Sequence, residues 1–285
     1  MGTDTDDSLE IGVLCSDKIP KWQRRALDRA VAETSAEITR VVMKEPDVRG
    51  SRPVPYYRRA LERVRSYPLW SLVGIGRCLT PTPEYERFER ISEVDGVPAA
   101  ERIYCRPEPA DDFGVELPAP VVDELAAAVD VVVRCHGFGV LKGEILRAPR
   151  HGVLSYHFGD INEYRGRMGR GFWEFVGGDE VTGVTLQQIT ERIDGGGIVV
   201  LERVNIDDLH TWQAVKRRSY VVAEEMLVTA VRNLTDPTFT PGQPEEGEYY
   251  SLPTGTAVGR YLVTNTAGRV QRWVRERSSP GESKA

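Results

Sequence analysis

The apolar positions fall into two alternating patterns along the first part of the chain. Residues 9–15 are nearly all apolar, which predicts a strand buried on both faces. Residues 22–31 carry apolar side chains three or four positions apart, which is typical of a helix with one buried face. A second apolar run covers residues 38–43. This strand–helix–strand order predicts a parallel sheet with right-handed crossovers.

The same alternation continues to about residue 234. A long amphipathic helix capped by Asp208 is predicted there, and residues 235–255, rich in Pro, Gly and Glu, predict a loop. Beyond the loop, the apolar positions predict a short terminal hairpin or helix. The further predicted strands are a pair over 90–103 that turns at Asp95 and Gly96, and single strands at 129–134, 152–156 and 181–189.

Together these elements predict an α/β fold, with a mostly parallel twisted sheet, helices on both faces and a short C-terminal extension. We assign residues 8–205 to the main domain and residues 206–234 to a closing helix. Residues 235–285 form the C-terminal extension, which we expect to be partly disordered, over residues 278–285. A chain of 285 residues is long enough to bury a full core of this kind.

Composition narrows the class of protein. The net charge of −6 argues against a general nucleic-acid binder, and no apolar run reaches the length of a membrane span. The N-terminus is acidic, and its pattern does not predict a signal peptide. We therefore expect a cytoplasmic protein without a membrane partner. The four cysteines are Cys15, Cys78, Cys105 and Cys135. Because they form no Cys-x-x-Cys pair, their spacing favours free thiols over a zinc site.

The turn after the first predicted strand lacks the glycine motif of dinucleotide-binding folds. Residues 15–20 have the sequence Cys-Ser-Asp-Lys-Ile-Pro, where such a fold would carry Gly-x-Gly-x-x-Gly. This absence argues against a nicotinamide-dependent oxidoreductase. Lys18 could meet a phosphate group at this turn, or it could lie in solvent as most such lysines do.

Residues 151–200 hold the densest set of chemically useful side chains. Ser155 and His157 are two positions apart on a predicted strand, so they share one face. At the carboxyl end of a buried strand, that face opens into the cleft where α/β proteins bind ligands. Asp194, in a glycine loop, could hydrogen-bond His157 and stabilise its charged form. The other motifs, in chain order, are Tyr164-Arg165-Gly166, Trp173, Gly178, Thr182-Gly183-Val184-Thr185 and Asp194-Gly195-Gly196-Gly197-Ile198.

This order of motifs resembles the catalytic core of the folate-dependent formyltransferases, best over about residues 120–205. In that family a strand carries Asn-x-His, a Tyr-Arg-Gly loop and a Trp helix lead to Gly-x-x-x-Thr-Gly-Val-Thr, and an Asp precedes a glycine-rich turn. The layout is similar to that of sugar N-formyltransferases and of the catalytic domain of methionyl-tRNA formyltransferases. One position departs, because Ser155 stands where the family has its catalytic asparagine. The resemblance implies a Rossmann-like formyltransferase fold.

The resemblance also implies an activity, which is transfer of a formyl group from 10-formyltetrahydrofolate to a primary amine of a small molecule. This is a reaction of one-carbon metabolism that needs no metal. His157 would carry the proton, Asp194 would be its partner, and Ser155 would take the oxyanion position. The residues assigned to the folate are His136, Gly137, Phe138, Val140, Leu141 and Gly195, and those assigned to an anionic acceptor are Tyr164, Arg165 and Arg167.

Ser155 leaves two interpretations open. Its hydroxyl stops one bond short of an asparagine amide, and loss of one oxyanion donor costs about 10²–10³ in kcat. Either the protein is an enzyme, in which a water or another donor such as His136 compensates or the chemistry has changed, or it is a catalytically degenerate formyltransferase fold that binds or regulates. Because the segment after the core is short, we do not expect the β-barrel of methionyl-tRNA formyltransferases or a nucleic-acid partner. The oligomeric state stays open, with a homodimer among the options.

Overall fold

The computed structural model describes residues 8–45, 56–78, 80–166 and 169–278. Arg167 therefore lies outside the described residues. The strands are β1 (Glu10–Cys15), β2 (Lys18–Pro20), β3 (Glu37–Lys44), β4 (Phe88–Arg90), β5 (Glu101–Cys105), β6 (Glu108–Pro109), β7 (Val115–Glu116), β8 (Val131–Arg134), β9 (Val153–His157), β10 (Tyr164–Gly166), β11 (Val181–Gln188), β12 (Gly197–Asn205) and β13 (Glu248–Tyr250). The α-helices are α1 (Lys21–Glu33), α2 (Tyr56–Ser66), α3 (Pro68–Cys78), α4 (Ala119–Ala128), α5 (Phe172–Gly177), α6 (Trp212–Thr235) and α7 (Gly255–Ser278).

Seven of these strands form one sheet in the order β12-β11-β9-β8-β1-β3-β5. The strands from β9 to β5 in that order run parallel to one another, and β11 is antiparallel to both β9 and β12. The mostly parallel α/β sheet predicted from the sequence is confirmed. A separate two-stranded ribbon pairs β10 with β13 in parallel, and it lies beside the candidate site.

The sheet is buried on both of its faces. In β1, Val13 and Cys15 face a core that also contains the apolar sides of α1 and α6, whereas Leu14 faces a second core that contains α4. The same alternation continues in β9, where Leu154 belongs to the first core and Val153 to the second. Burial on both faces explains why these strands are continuous apolar runs in the sequence.

Two sequence predictions are wrong in detail. The predicted pair of strands over residues 90–103 does not form, because β4 pairs with β2 and β5 joins the edge of the main sheet beside β3. The long helix is not capped by Asp208; it begins at Trp212, and the Thr211 hydroxyl accepts a hydrogen bond from the Ala214 N–H at 3.3 Å. Asp208 instead forms an ion pair with Arg218, a surface contact.

The C-terminal segment forms a helix that packs on the main body. The sequence predicted a short terminal hairpin or helix, and the structure has one continuous helix, α7. Its Val258 and Tyr261 are buried in the first core. Residues 279–285, where the sequence predicts disorder, lie outside the described residues. The division into domains at 205 and 234 stays a prediction. Among the described residues, no helix is long and apolar enough to cross a membrane.

Candidate active site

Three polar side chains stand level with one another across the centre of the sheet. The parallel register of β8 and β9 pairs Val132 with Val153 and Val133 with Leu154, so Arg134 comes next to Ser155. On the other side of β9, Gln187 of β11 pairs with Ser155. Because side chains alternate along a strand, His157 shares the face of Ser155 one pleat further on. The sheet register therefore gathers the site at the carboxyl end of β9.

His157 is buried, and both of its ring nitrogens have acceptors. Nδ1 lies 3.4 Å from Oδ1 of Asp194, and Nε2 lies 2.7 Å from the carbonyl oxygen of Tyr164. A carbonyl and a carboxylate accept but do not donate, so both nitrogens have partners for a proton. This geometry favours the imidazolium form, as expected for a histidine held by a carboxylate.

The pKa values of this pair move apart. Burial alone would lower the pKa of His157, but the hydrogen bond and charge of Asp194, helped by the Tyr164 carbonyl, outweigh burial and raise it above its usual value. Burial alone would raise the pKa of Asp194, but His157 and the Gly166 N–H outweigh burial and hold that pKa below its usual value. Each charged form is therefore stabilised by the other.

Replacement of Asp194 by asparagine is expected to lower the melting temperature in a pH-dependent way. The raised His157 pKa stabilises the fold fully below about pH 6.5, the unfolded value, and this contribution is lost as pH rises through the folded pKa. The lowered Asp194 pKa contributes above about pH 3.9 and is lost as pH falls through its folded pKa. The deficit of Asp194→Asn should therefore be largest near about pH 5.5 and smaller near about pH 9.

Thermal unfolding of both proteins across this range tests the expectation. Asp123→Asn, at an exposed position of α4, is the matched control and should show a small deficit that does not vary with pH. A deficit of Asp194→Asn that stays constant between the two pH values would show that the pair is not ionised as the geometry indicates.

The loop that carries Asp194 is held in an unusual backbone conformation. Asp194 has a φ of 48°, in the left-handed region that non-glycine residues seldom adopt. Its Oδ2 accepts the Gly166 N–H at 2.7 Å, and Gln187 accepts the Gly196 N–H at 3.3 Å. A side chain at Gly196 would meet the Gln188 carbonyl at 1.8 Å, so only glycine fits there. The glycine loop thus returns the carboxylate to His157, as its sequence suggested.

A cavity of about 660 Å³ opens in front of Ser155. The segment from Arg134 to Gly139 lines one side, and Trp22 of α1 and Tyr220 of α6 line another. Trp22 stacks on Tyr220 with ring centres 5.1 Å apart, which fixes this wall. A cavity of this volume is large enough for a drug-sized ligand.

The structure brings some of the predicted site residues to this cavity and not others. His136, Gly137, Phe138 and Ser155 line it. His157 and Asp194 lie beside Ser155 but outside the lining. Of the other residues assigned to the folate, Leu141 is buried in the core that contains α4, Val140 is exposed, and Gly195 borders a second cavity.

The residues predicted to bind the acceptor are engaged elsewhere. The Tyr164 hydroxyl donates to Asp179 at 2.5 Å, and Arg165 is buried, with its guanidinium donating to the carbonyls of Ile161 and Glu245. Neither residue lines the cavity, and Arg167 lies outside the described residues. Within the described residues, no group of three or more His, Cys, Asp or Glu side chains could hold a metal ion.

Sequence reasoning missed three residues of the site, which are Arg134, Gln187 and Trp22. Arg134 is the last residue of β8, and Gln187 lies near the end of β11. The pattern of apolar residues along each strand does not indicate which residues of other strands lie next to them. The only available signal for Arg134 was its charge at the carboxyl end of a buried strand, where ligands bind. Trp22 was predicted to be a core residue, and it is both core and cavity wall.

Comparison with known proteins finds a family match for part of the chain. Residues 115–231 match the family model described as formyl transferase. A methionyl-tRNA formyltransferase of Ruegeria pomeroyi is 31% identical over 183 residues, which are 60% of this chain and 60% of that protein. Two other methionyl-tRNA formyltransferases are covered over only 44% and 49% of their length. The chain thus spans about half of the curated relatives it matches.

Solved structures share the fold at low sequence identity. Glycinamide ribonucleotide transformylase 1 from Symbiobacterium toebii superposes with a TM-score of 0.51 at 18% identity, covering 80% of this chain and 87% of that one. An N-formyltransferase from Helicobacter canadensis, in complex with folinic acid and dTDP-3-aminofucose, gives 0.51 at 10% identity over 90% of this chain and 80% of that one. The Rossmann-like sheet and the matched segment agree: residues 115–231 match the formyl transferase family, and the fold is that of solved formyltransferases.

Proposed function

We propose that this protein transfers the formyl group of 10-formyltetrahydrofolate to a primary amine of a small molecule. The observation that carries the proposal is the cavity of about 660 Å³, which borders both Ser155 and the loop 136–139. One cavity can therefore hold the donor beside the strand that carries His157. An amine acceptor would enter the same space from its open side.

The residues around the cavity suit a flat ring with polar edges. Phe138 and Trp22 provide apolar surface, and residues 136–139 bring their backbone to the cavity. Gly137 has a φ of 125°, and a Cβ there would lie 2.1 Å from the Ser16 hydroxyl oxygen. Only glycine lets this loop pack so closely on the end of β1. This close packing fixes the position of the loop beside the cavity.

His157 moves protons in the proposed reaction. The amine nitrogen forms a bond to the formyl carbon, and the electron pair of the C=O bond moves to oxygen. As that pair returns, the bond from carbon to the folate nitrogen breaks. The imidazolium of His157 gives its proton to the leaving nitrogen and regains one from the new amide nitrogen. Asp194 keeps the ring oriented and its charged form stable throughout.

The acceptor we favour is an amino sugar carried on a nucleotide. Two features support this class. The cavity carries polar and charged groups at its rim, among them Arg170, Gln23 and Glu86. The Helicobacter canadensis protein of the same fold was crystallised with dTDP-3-aminofucose. A guanidinium such as that of Arg170 suits a diphosphate.

The alternative is a protein that binds the folate and has lost transfer. Ser155 supports it, because the family asparagine is missing. Turnover decides between the two, measured as release of tetrahydrofolate from 10-formyltetrahydrofolate with a panel of amino-sugar nucleotides and simple amines. Release that depends on one acceptor supports the transferase. Folate binding without release for any acceptor supports the binding protein.

Replacement of Gly137 by alanine is expected to weaken the binding of folinic acid at least about tenfold, or about 1.4 kcal/mol. The added methyl group cannot coexist with Ser16, so the loop that faces the ligand must shift. Calorimetric titration measures the change. Gly259→Ala is the matched control, because a Cβ at that position of α7 meets nothing within 4 Å. Equal affinity in the wild type and Gly137→Ala would show that the donor binds elsewhere.

A further inference from the structure

The guanidinium of Arg134 is fixed in place at the base of the cavity. Its Nε and Nη2 both donate to the Ser155 hydroxyl oxygen, at 3.1 and 2.8 Å. Its Nη1 donates to the carbonyls of Phe138 and Gly139, at 3.3 and 3.0 Å. A guanidinium carries one more N–H than these four contacts use. Because Arg134 also lines the cavity, it can offer that N–H to a ligand.

The charge of Arg134 is surrounded by neutral groups. Its four hydrogen bonds go to three neutral oxygens, and within the described ranges no carboxylate lies at ion-pair distance from it. Asp194 attracts it only at longer range, and burial lowers the pKa of Arg134, which reflects the cost of desolvating the charge. A cation held in this way is stabilised by any negative charge that develops in the cavity.

The position of Arg134 relates it to the reacting atoms. It stands beside Ser155, the residue at the place of the family asparagine, and neighbouring strands lie roughly 5 Å apart. His157 is one pleat away on the same face of β9. A formyl carbon placed so that the nitrogens bound to it reach His157 would have its oxygen on the side of the Arg134 guanidinium.

We propose that Arg134 is the catalytic residue that stabilises the oxyanion, in place of an asparagine at position 155. This rests on the proposed function, since it assigns the donor for the same reaction. When the amine attacks, the C=O electron pair moves to the formyl oxygen, and the free N–H of Arg134 binds that oxygen. When the pair returns and the bond to the folate nitrogen breaks, the interaction weakens again. Ser155 is a positioning residue that holds the guanidinium.

The same geometry explains why serine is at position 155. The Ser155 oxygen is already 2.8 Å from Nη2, so the longer asparagine side chain would occupy the volume of the guanidinium. In the observed conformation, the Arg134 guanidinium fills the space that an asparagine side chain at 155 would need. The two positions therefore form one unit that can be exchanged only together.

The experiment compares kcat and KM for formyl transfer in the wild type and four variants. Arg134→Ala should lower kcat by about 10²–10³ with little change in KM, as for loss of an oxyanion donor. Arg134→Lys keeps the positive charge but loses the planar set of N–H donors of the guanidinium. Its kcat should lie between those of the wild type and Arg134→Ala. Arg134→Ala combined with Ser155→Asn should regain most of the loss, which a purely structural arginine would not allow. Arg106→Ala, at a surface ion pair, is the control and should match the wild type.

Folding is checked by thermal unfolding and folinic acid affinity, and the Arg134→Lys variant carries the test if Arg134→Ala does not fold. An active wild type with an unchanged kcat in both Arg134 variants would overturn this proposal and leave the proposed function standing. A raised KM at constant kcat would also overturn it, because Arg134 would then bind an anionic group of a substrate. A wild type that binds folinic acid but transfers no formyl group to any acceptor would overturn the proposed function itself.

Discussion

Replacement of His157 by alanine is expected to lower kcat for formyl transfer by about 10²–10⁴, the range for loss of a general acid–base group. His157 is the histidine that shares the face of Ser155, and its charged form is stabilised by Asp194 at 3.4 Å. Alanine removes the proposed proton carrier, while residues 136–139, which we propose contact the folate, keep their own contacts. The affinity for folinic acid should therefore change little, so that the loss appears in kcat.

The matched control is His151→Ala, six positions upstream in the same segment. His151 lines the second cavity, and its buried Nε2 has no hydrogen-bond partner among the described residues, so its removal leaves the His157–Asp194 pair intact. Its kcat should equal that of the wild type. Wild-type turnover in His157→Ala would contradict the site assignment, whereas equal losses in both variants would point to a general effect on folding.

The pH–rate profile of Asp194→Asn tests the role of the carboxylate beside His157. Without the carboxylate, the pKa of His157 should fall, because burial then acts unopposed by the charge of Asp194. The limb of the pH–rate profile that reports His157 should move to lower pH in this variant. A profile that keeps its position would show that another group limits the rate.

The parts of this molecule that follow from local sequence were predictable. Strands buried on both faces give continuous apolar runs, and α1 and α6 give helical spacing, so the sheet and its flanking helices could be read from the sequence. The His157–Asp194 pair could be predicted because a glycine loop leaves few ways for the chain to turn. Gly196 shows this, since any side chain would collide with the Gln188 carbonyl.

The parts that depend on distant neighbours were not predictable in the same way. Arg134 meets Ser155 only because of the register between β8 and β9, and an apolar run carries no information on register against its neighbour. Arg165 sits in a basic loop that suggests solvent or a ligand. It is buried because the residues near Glu245, eighty positions later, return to cover it. The cavity wall likewise needs Trp22 and Tyr220 from two separate helices.

The C-terminal helix raises the question of whether it belongs to the same cooperative unit as the sheet. The answer depends on an aromatic cluster centred on Phe172, which is fully buried at the start of α5. The rings around it lie 5.2 to 5.6 Å from it, centre to centre. They come from α3, α5, α6 and α7, and they are Trp70, Trp173, Trp212 and Tyr261.

Phe172→Ala is therefore expected to lower the free energy of unfolding by about 3–5 kcal/mol, the range for a large aromatic residue lost from a core. The surrounding rings cannot collapse into the space, since each is anchored on a different helix. Phe113→Ala is the control, because Phe113 is 45% exposed and should cost about 1 kcal/mol or less. Denaturant unfolding measures both changes.

If α7 packs as part of the same unit, Tyr261→Ala should reproduce much of the Phe172→Ala loss in a single transition. A Tyr261→Ala protein with wild-type stability would instead show that α7 contributes little, and that the sheet and α6 are stable without it.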